Sequence, residues 1–441
     1  MAAFHSATPV DYEEELKRAA AKVINADFSD IEAKMHRYPA IFRGMMSKDD
    51  RYFVPRCVAI GPYHHHAHHH LRRAEEIKRA AAYFFCNDSG HSAEMVYAKI
   101  LTMADDVKRC YDHDAVSGFS QAEFATMMFQ DGCFLLQYII DRTTTAWQSL
   151  SSWFLANQES ILRDIFLLEN QVPWLVLDAL MSFMPVPVPV PMGKFISDVA
   201  KSFEARVNFG DTASPFVLDY QRYRPAHLLD LLRYYQSGFS EEPSDGSSRS
   251  LTLSREITSL PQSTSAIDLA EIGVHLTNNR TGRFRDMGVG EGIFFYSLFL
   301  TPLVMDDFNA CWLLNMVAFE MSLATRYEDD TVRSYVLLIV MLMSREEDVH
   351  ELRVKRILHG QFSDQRTLSF FSDLAGLILL TKEHKRLLAD LEAYRRKRWM
   401  WLSLHKFIYN NWKYIVTVLS IIGALVGIFK TLFSIEQQKK Q

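Results

Sequence analysis

The sequence predicts a mainly α-helical protein: a multi-helix globular body with one small antiparallel β element and one C-terminal transmembrane helix. Three observations carry this reading. Apolar residues recur at helical spacing over residues 71–86, 94–113, 121–141, 306–359 and 366–410. Residues 274–303 instead mix short alternating and aromatic runs with Asn-Asn and glycine turns, the pattern of paired strands. From Tyr414 to Phe429 no charge interrupts the chain, and the apolar character resumes beyond Lys430 as far as Ile435.

The composition permits such a body. A chain of 441 residues, 48% hydrophobic and 12% aromatic, can bury a sizeable core, and its length allows two or three globular units. A formal net charge of −5 gives no ground for a nucleic-acid partner. The five cysteines, Cys57, Cys86, Cys110, Cys133 and Cys311, include no C-x-x-C pair, so neither a disulfide framework nor a zinc ribbon is predicted, and a reducing compartment is the simpler expectation. The N-terminus has no basic start followed by an apolar run, so no secretory signal peptide is predicted.

In chain order, residues 1–28 form a leading segment in which 11–25 place acids ahead of bases, as the helix dipole favours. The body then runs over 29–410. Arg51 to Tyr63, β-branched and aromatic with Pro55 and Gly61-Pro62, reads as an extended segment ending in a turn. After the helices of 71–141 comes the most distinctive stretch, Asp164 to Asp178, where dense apolar runs flank Glu169-Asn170-Gln171 and Pro173. Proline lacks an N–H and restricts the residue before it, so a helix arriving through Leu168 should stop before Pro173 and a second should start there. Side chains between two helix ends can cap the unpaired backbone groups. Asp164, Glu169, Asn170, Gln171, Pro173 and Trp174 are therefore read as a buried structural corner, with a ligand site as the alternative. Pro185 to Pro191 alternates proline and valine, a polyproline II spacer and a first sub-boundary. Helices are predicted near 193–207 and 225–236. Residues 238–265, rich in Ser, Gly, Glu and Pro, read as a disordered loop and a second sub-boundary.

The predicted span covers 414–435, followed by a short tail, 436–441. Its 22 residues rise roughly 33 Å as a helix, against a hydrocarbon core of about 30 Å, with Lys430 snorkelling to the interface. Arg395, Arg396, Lys397 and Arg398, with Trp412 and Tyr414, mark the membrane interface on the entry side. Basic residues ahead of the span outnumber those beyond it, so the body is expected to face the cytosol in a single-pass, tail-anchored arrangement, in either the plasma membrane or an endomembrane. Residues 292–305 and Tyr335 to Met343 are apolar but too short to span, and belong in the core.

Six histidines within seven positions, His64, His65, His66, His68, His69 and His70, have the chemistry for transition-metal ligation or pH sensing. No other Cys or His pattern completes a converging site, so the run is read as a low-complexity insertion, and no metal or cofactor is predicted. The chain contains no G-x-x-x-x-G-K-[ST], H-E-x-x-H or G-x-S-x-G, and Gly288 to Gly292 reads as a turn. Asp131, Glu169 and Glu320 are acids in apolar surroundings, where desolvation raises a carboxyl pKa. Paired or capping roles are expected for them; a hydrolase or transferase built on them is one alternative. No small-molecule substrate is inferred. Asn87-Asp88-Ser89 and Asn279-Arg280-Thr281 match the glycosylation acceptor pattern in stretches expected to be surface loops, and a cytosolic body would leave both bare.

Several blocks carry a resemblance: Arg51-Tyr52-Phe53-Val54-Pro55, Ala59-Ile60-Gly61-Pro62-Tyr63-His64-His65, Asp131-Gly132-Cys133-Phe134-Leu135-Leu136, the Asp164 to Leu180 stretch, His227-Leu228-Leu229-Asp230-Leu231-Leu232, Ser265-Ala266 to Gly273-Val274, and Asn315-Met316-Val317-Ala318-Phe319-Glu320. Collinear from about residue 32 to the terminal anchor, they resemble the plant-specific family called domain of unknown function 247, with its UPF0481-like membrane proteins. The resemblance implies a plant membrane-associated protein without established enzymatic activity; some grass members are implicated as pollen-side determinants of self-incompatibility. One departure stands out: where the family usually gives a glycine after Tyr63-His64-His65, this chain continues with His66-Ala67-His68-His69-His70. The expected function is that of a membrane-anchored, non-enzymatic protein-interaction or signalling component, with a pollen-recognition determinant as the alternative.

Overall fold

Helix α1 (Arg72–Ser89) lies along α5 (Gln121–Thr143), and the short helices α2 (Ala93–Thr102), α3 (Ala104–Arg109) and α4 (His113–Val116) bridge them in sequence. In this computed structural model the described residues are 35–42, 44, 50–65, 71–144, 150–184, 191–201, 216–219, 221–238, 265–271, 273–279, 282–291, 296–323, 330–378, 380–381 and 384–393, with Glu14, Leu16, Lys17 and Gly427. A capping box opens α5: Ser120 accepts from the Glu123 N–H while Glu123 reaches back to the Ser120 N–H. The helix is buried nearly all round, from Phe124 to Ile140. Close packing with α8 (Trp174–Met181) needs Gly132, because a Cβ there would lie 2.5 Å from Leu180 Cδ1. Between these two run α6 (Ser151–Ala156) and α7 (Gln158–Asp164); α9 (Met192–Ala200) and α10 (Leu228–Ser237) then lead towards the C-terminal half.

That half begins with α11 (Ala266–Glu271) and the strands β1 (Val274–Asn278), β2 (Gly288–Glu291) and β3 (Tyr296–Leu300). Strand β4 (Leu303–Met305), helices α12 (Asp307–Ser322), α13 (Thr331–Leu342) and α14 (Glu346–Val354), strand β5 (Leu358–Gly360) and helix α15 (Asp364–Ala375) follow, and residues 384–393 form α16. Alternation along β3 turns Tyr296, Leu298 and Leu300 inward and leaves Phe299 exposed. Every residue of α12 from Asn309 to Glu320 is buried, and α13 carries the apolar run assigned to the core by its length. One continuous cluster of buried apolar side chains extends from Met35 to Leu391.

Several expectations are corrected. The three-stranded sheet has the order β1-β3-β2, with β1 parallel and β2 antiparallel to β3, and β4 pairs parallel with β5. The β element is therefore mixed, not antiparallel, because the chain returns from β2 to insert β3 between its two predecessors. The single helix expected over 94–113 is two short ones, α2 and α3, with α4 starting at His113. The approach to Pro173 is not helical through Leu168: α7 ends at Asp164, Ile165 to Asn170 run through turns, and Gln171 and Val172 are irregular. Asn279 is buried, so its acceptor motif does not present a surface amide. The spacer at 185–190, the loop at 239–264, most of the leading helix 11–25, the basic run Arg395 to Arg398 and the predicted span at 414–435, Gly427 apart, lie outside the described residues. Among the described residues no helix is long and apolar enough to cross a membrane.

Candidate functional site

Ile165 to Val172 cannot satisfy its backbone through a helix, and side chains take over. The Asp164 carboxylate, at the end of α7, accepts the backbone N–H groups of Arg56, Cys57 and Val58 at 2.9, 2.6 and 3.0 Å and the Arg163 guanidinium at 2.7 Å. Arg163 also donates to the carbonyls of Arg51 and Val54. Asn170 accepts from the Ile60 N–H and donates to the carbonyls of Val58 and Asp164. The Gln171 amide donates to the carbonyls of Ile165 and Leu167 and accepts the Leu229 N–H from the first turn of α10. Glu169 accepts the Tyr38 N–H at 2.9 Å. Two residues beyond the proline-flanking stretch complete the corner. Asn315, inside α12, accepts from the Leu168 N–H and the Tyr38 hydroxyl and donates to the carbonyls of Tyr52 and Cys311. Tyr111 donates its hydroxyl to the Gln171 carbonyl at 2.8 Å.

Pro173 and Trp174 end the corner. Pro173, with φ −56° and ψ 138°, is the residue before α8, and the Trp174 N–H reaches the Ala226 carbonyl at 2.7 Å. On the opposite side, Gly61 adopts φ +72°, and a Cβ there would lie 2.7 Å from the Gln171 carbonyl oxygen. Its N–H donates to Asp131 at 2.8 Å, and the other Asp131 oxygen meets Lys78 Nζ at 2.7 Å. Lys78 also bonds Glu75, making a carboxylate-ammonium-carboxylate chain beneath the Gly61-Pro62 turn. Burial draws the Lys78 pKa down, but the Asp131 and Glu75 carboxylates outweigh it and leave the ammonium favoured. Burial pushes the carboxyls of Asp131 and Asp164 up, against Lys78 in one case and Arg163 with backbone donors in the other.

A second buried polar group joins α10, α12 and α13. Glu320 accepts the N–H groups of Val332 and Arg333 at 3.1 and 2.9 Å, capping α13 from a neighbouring helix, and lies 3.6 Å from Arg233. Burial raises its pKa to about 7, opposed by Arg233 and the two backbone donors. His227 caps α10 by accepting the Asp230 N–H at 3.2 Å, and its ring packs against Phe319; burial lowers its pKa to about 3.

The structure thus gathers Asp164, Glu169, Asn170, Gln171, Pro173 and Trp174 at one corner and adds Arg163, Asn315 and Tyr111, with Lys78 beneath the Gly61 turn, none of which sequence reasoning identified as a corner residue. The signal for Asn315 was an amide within an otherwise apolar helical run; that for Lys78 was a lysine in the stripe Ala74, Lys78, Ala81, Phe85. His64 and His65 follow the Gly61 turn, His64 buried at 9% exposure, and the rings of His65 and Phe119 are in contact. His66, His68, His69 and His70 lie outside the described residues, as do Arg395, Arg396, Lys397, Arg398, Trp412 and Tyr414. Among the described residues no cluster of three potential metal ligands occurs.

A plant protein family of unknown function, domain of unknown function 247, matches residues 35–426. The UPF0481 protein At3g47200 of Arabidopsis thaliana is 24% identical over 355 residues, a stretch that covers 75% of this chain and 71% of that protein. No solved structure matches. The match runs through Tyr38, Asp131, the Asp164 to Trp174 corner, Asn315 and Glu320, and the chain belongs to this plant family of unknown function.

Proposed function

We propose that the protein is a membrane-anchored interaction component of a signalling process, a rigid helical body presenting partner-binding surface beside the membrane to which residues 414–435 tether it. The observation that supports this most is the internal engagement of the buried acids and amides. Asp131, Asp164, Asn170, Gln171, Asn315 and Glu320 are buried, and each bonds backbone or an opposite charge inside the fold. A group held in this way meets a solute only if the fold opens, so the acids that motivate a hydrolase or transferase reading support it less than they support a scaffold. A pollen-recognition role, raised by the family resemblance, is a narrower form of the same proposal; allelic polymorphism concentrated on exposed residues would favour it.

Proximity labelling by the full-length protein in living tissue tests the proposal. A reproducible set of membrane-adjacent proteins is expected, and a list no different from that of a free labelling enzyme counts against it. The tether has its own test. A chain ending at Asn411 should stay in the supernatant without detergent, and its recovery in the membrane pellet after a high-salt wash would contradict a sole anchor at 414–435.

A further inference from the structure

Strand β2 lies at the margin of its sheet: the order β1-β3-β2 leaves one of its sides paired with β3, and among the described residues no strand pairs with the other. An unpaired margin of this kind presents N–H and C=O groups at strand spacing, a template for one more strand about 4.8 Å away. Beside it runs a cleft of about 410 Å³. Met287 and Val289 line it from the β2 side, and Leu387, from α16, lines it too. In the register with β3, Val289 stands opposite the inward-facing Leu298, so the cleft continues the core side of the sheet past its margin. A strand added to β2 would therefore point alternate side chains into this cleft.

The charges at the cleft indicate what that strand carries. Arg285 and Arg386 both line it, both are exposed, and among the described residues neither guanidinium makes an ion pair or hydrogen bond. Of the two lining acids, Asp330 is buried, bonds Ser334 and faces Arg333 at 3.9 Å, which leaves the half-buried Asp390 as the one counterweight among the lining residues to two guanidinium groups. The unanswered charge is positive.

The geometry points to a peptide-docking groove: an extended segment of a partner protein adds to β2 as a fourth strand, sets an aliphatic side chain between Val289 and Leu387, and presents carboxylates to Arg285 and Arg386. The inference rests on the interaction reading and supplies a site for it.

A randomised peptide-display library panned on the purified full-length chain in detergent is the first step. Enriched sequences are expected to carry acidic and aliphatic residues at alternating positions; absence of enrichment, or enrichment without this pattern, overturns the groove. The strongest binder is then followed by fluorescence anisotropy. It should lose about tenfold in affinity against the double variant Arg285→Glu, Arg386→Glu, both exposed positions, and keep its affinity for Tyr83→Glu, a control elsewhere on the surface. N-methylation of alternate peptide amides, which leaves the protein untouched, should abolish binding if the peptide forms a strand; retained binding of the methylated peptide excludes strand addition. Self-association of the wild-type chain that the double variant loses would make a second copy the occupant and refute the peptide. Proximity labelling separates the two levels: partners unchanged in the double variant refute the groove and leave the interaction reading standing, whereas no specific partners even for the wild type refute that reading.

Discussion

Asp164 is a residue whose removal should cost the fold heavily. Its carboxylate holds three consecutive backbone N–H groups of the 56–58 segment and the Arg163 guanidinium in a site with no exposure. Asp164→Ala leaves these donors and one positive charge buried and unpaired, at a cost of about 3 to 5 kcal/mol. Chemical denaturation of the two proteins measures it, and a loss below about 1 kcal/mol would remove the corner from its organising position. Glu320 gives a pH signature. Its pKa rises from an ordinary value of 4.5 to about 7 on folding, so the folded state holds the proton more tightly. The stability it contributes is complete below pH 4.5 and is lost as pH rises through 7. His227, lowered from 6.5 to about 3, acts in the opposite sense, losing its contribution as pH falls below 6.5. The two slopes oppose one another in the intact protein, so the comparison needed is wild type against Glu320→Gln. The stability of the variant relative to wild type should rise by roughly 3 kcal/mol from pH 4.5 to 7. A constant difference across that window would show that Glu320 is not held in this environment.

At the scale of elements, the corner shows which cause sets a bend. Pro173 explains where α8 begins, but the chain has already left α7 at Asp164, and the turns between are tied by Asn170 and Gln171. Alanine can adopt φ −56° and ψ 138°, so Pro173→Ala should cost about 1 kcal/mol or less, mostly through a more flexible unfolded chain, and leave far-UV circular dichroism unchanged. Asn170→Ala removes three bonds to buried backbone groups, each worth about 1–3 kcal/mol when its partner is left unsatisfied, and should be much the more damaging of the two. The reverse ranking would restore the proline as the cause. The sequence made the proline and the polar triplet visible because both interrupt an apolar pattern within a few residues. It did not reveal that Asp164, four residues ahead of the expected helix end, caps a segment more than 100 residues away, since such a partner leaves no local mark. The mixed sheet was hidden for a similar reason: alternation in β3 shows that it has an inner face, while the direction of its neighbours depends on the connections.

For the molecule as a whole, helical periodicity made most of the body legible, from α1 and α5 to α13, because each shows its buried face within its own residues. If the proposed tether holds, the charges at 395–398 predict that the body faces the cytosol, and this can be tested in the body itself. Two glycosylation acceptors were visible in the sequence, and the structure separates them. Asn87 is exposed in the last turn of α1, whereas the Asn279 side-chain amide donates to Thr301 Oγ1 at 2.7 Å and to the Arg283 carbonyl, with 8% of the residue exposed. A glycan on Asn279 would remove that amide from its partners, so the folded body offers one usable acceptor of the two. A cytosolic body meets no lumenal glycosylation machinery and leaves Asn87 bare; native protein treated with an N-glycosidase should then show no change in gel mobility. A lumenal or external body predicts a downward shift that Asn87→Gln alone abolishes, and this result would overturn the cytosolic assignment. A shift that persists in Asn87→Gln and disappears in Asn279→Gln would mean that the glycan is attached before the β1 end folds against Thr301, and would place both the topology and the timing of folding on the other side of the prediction.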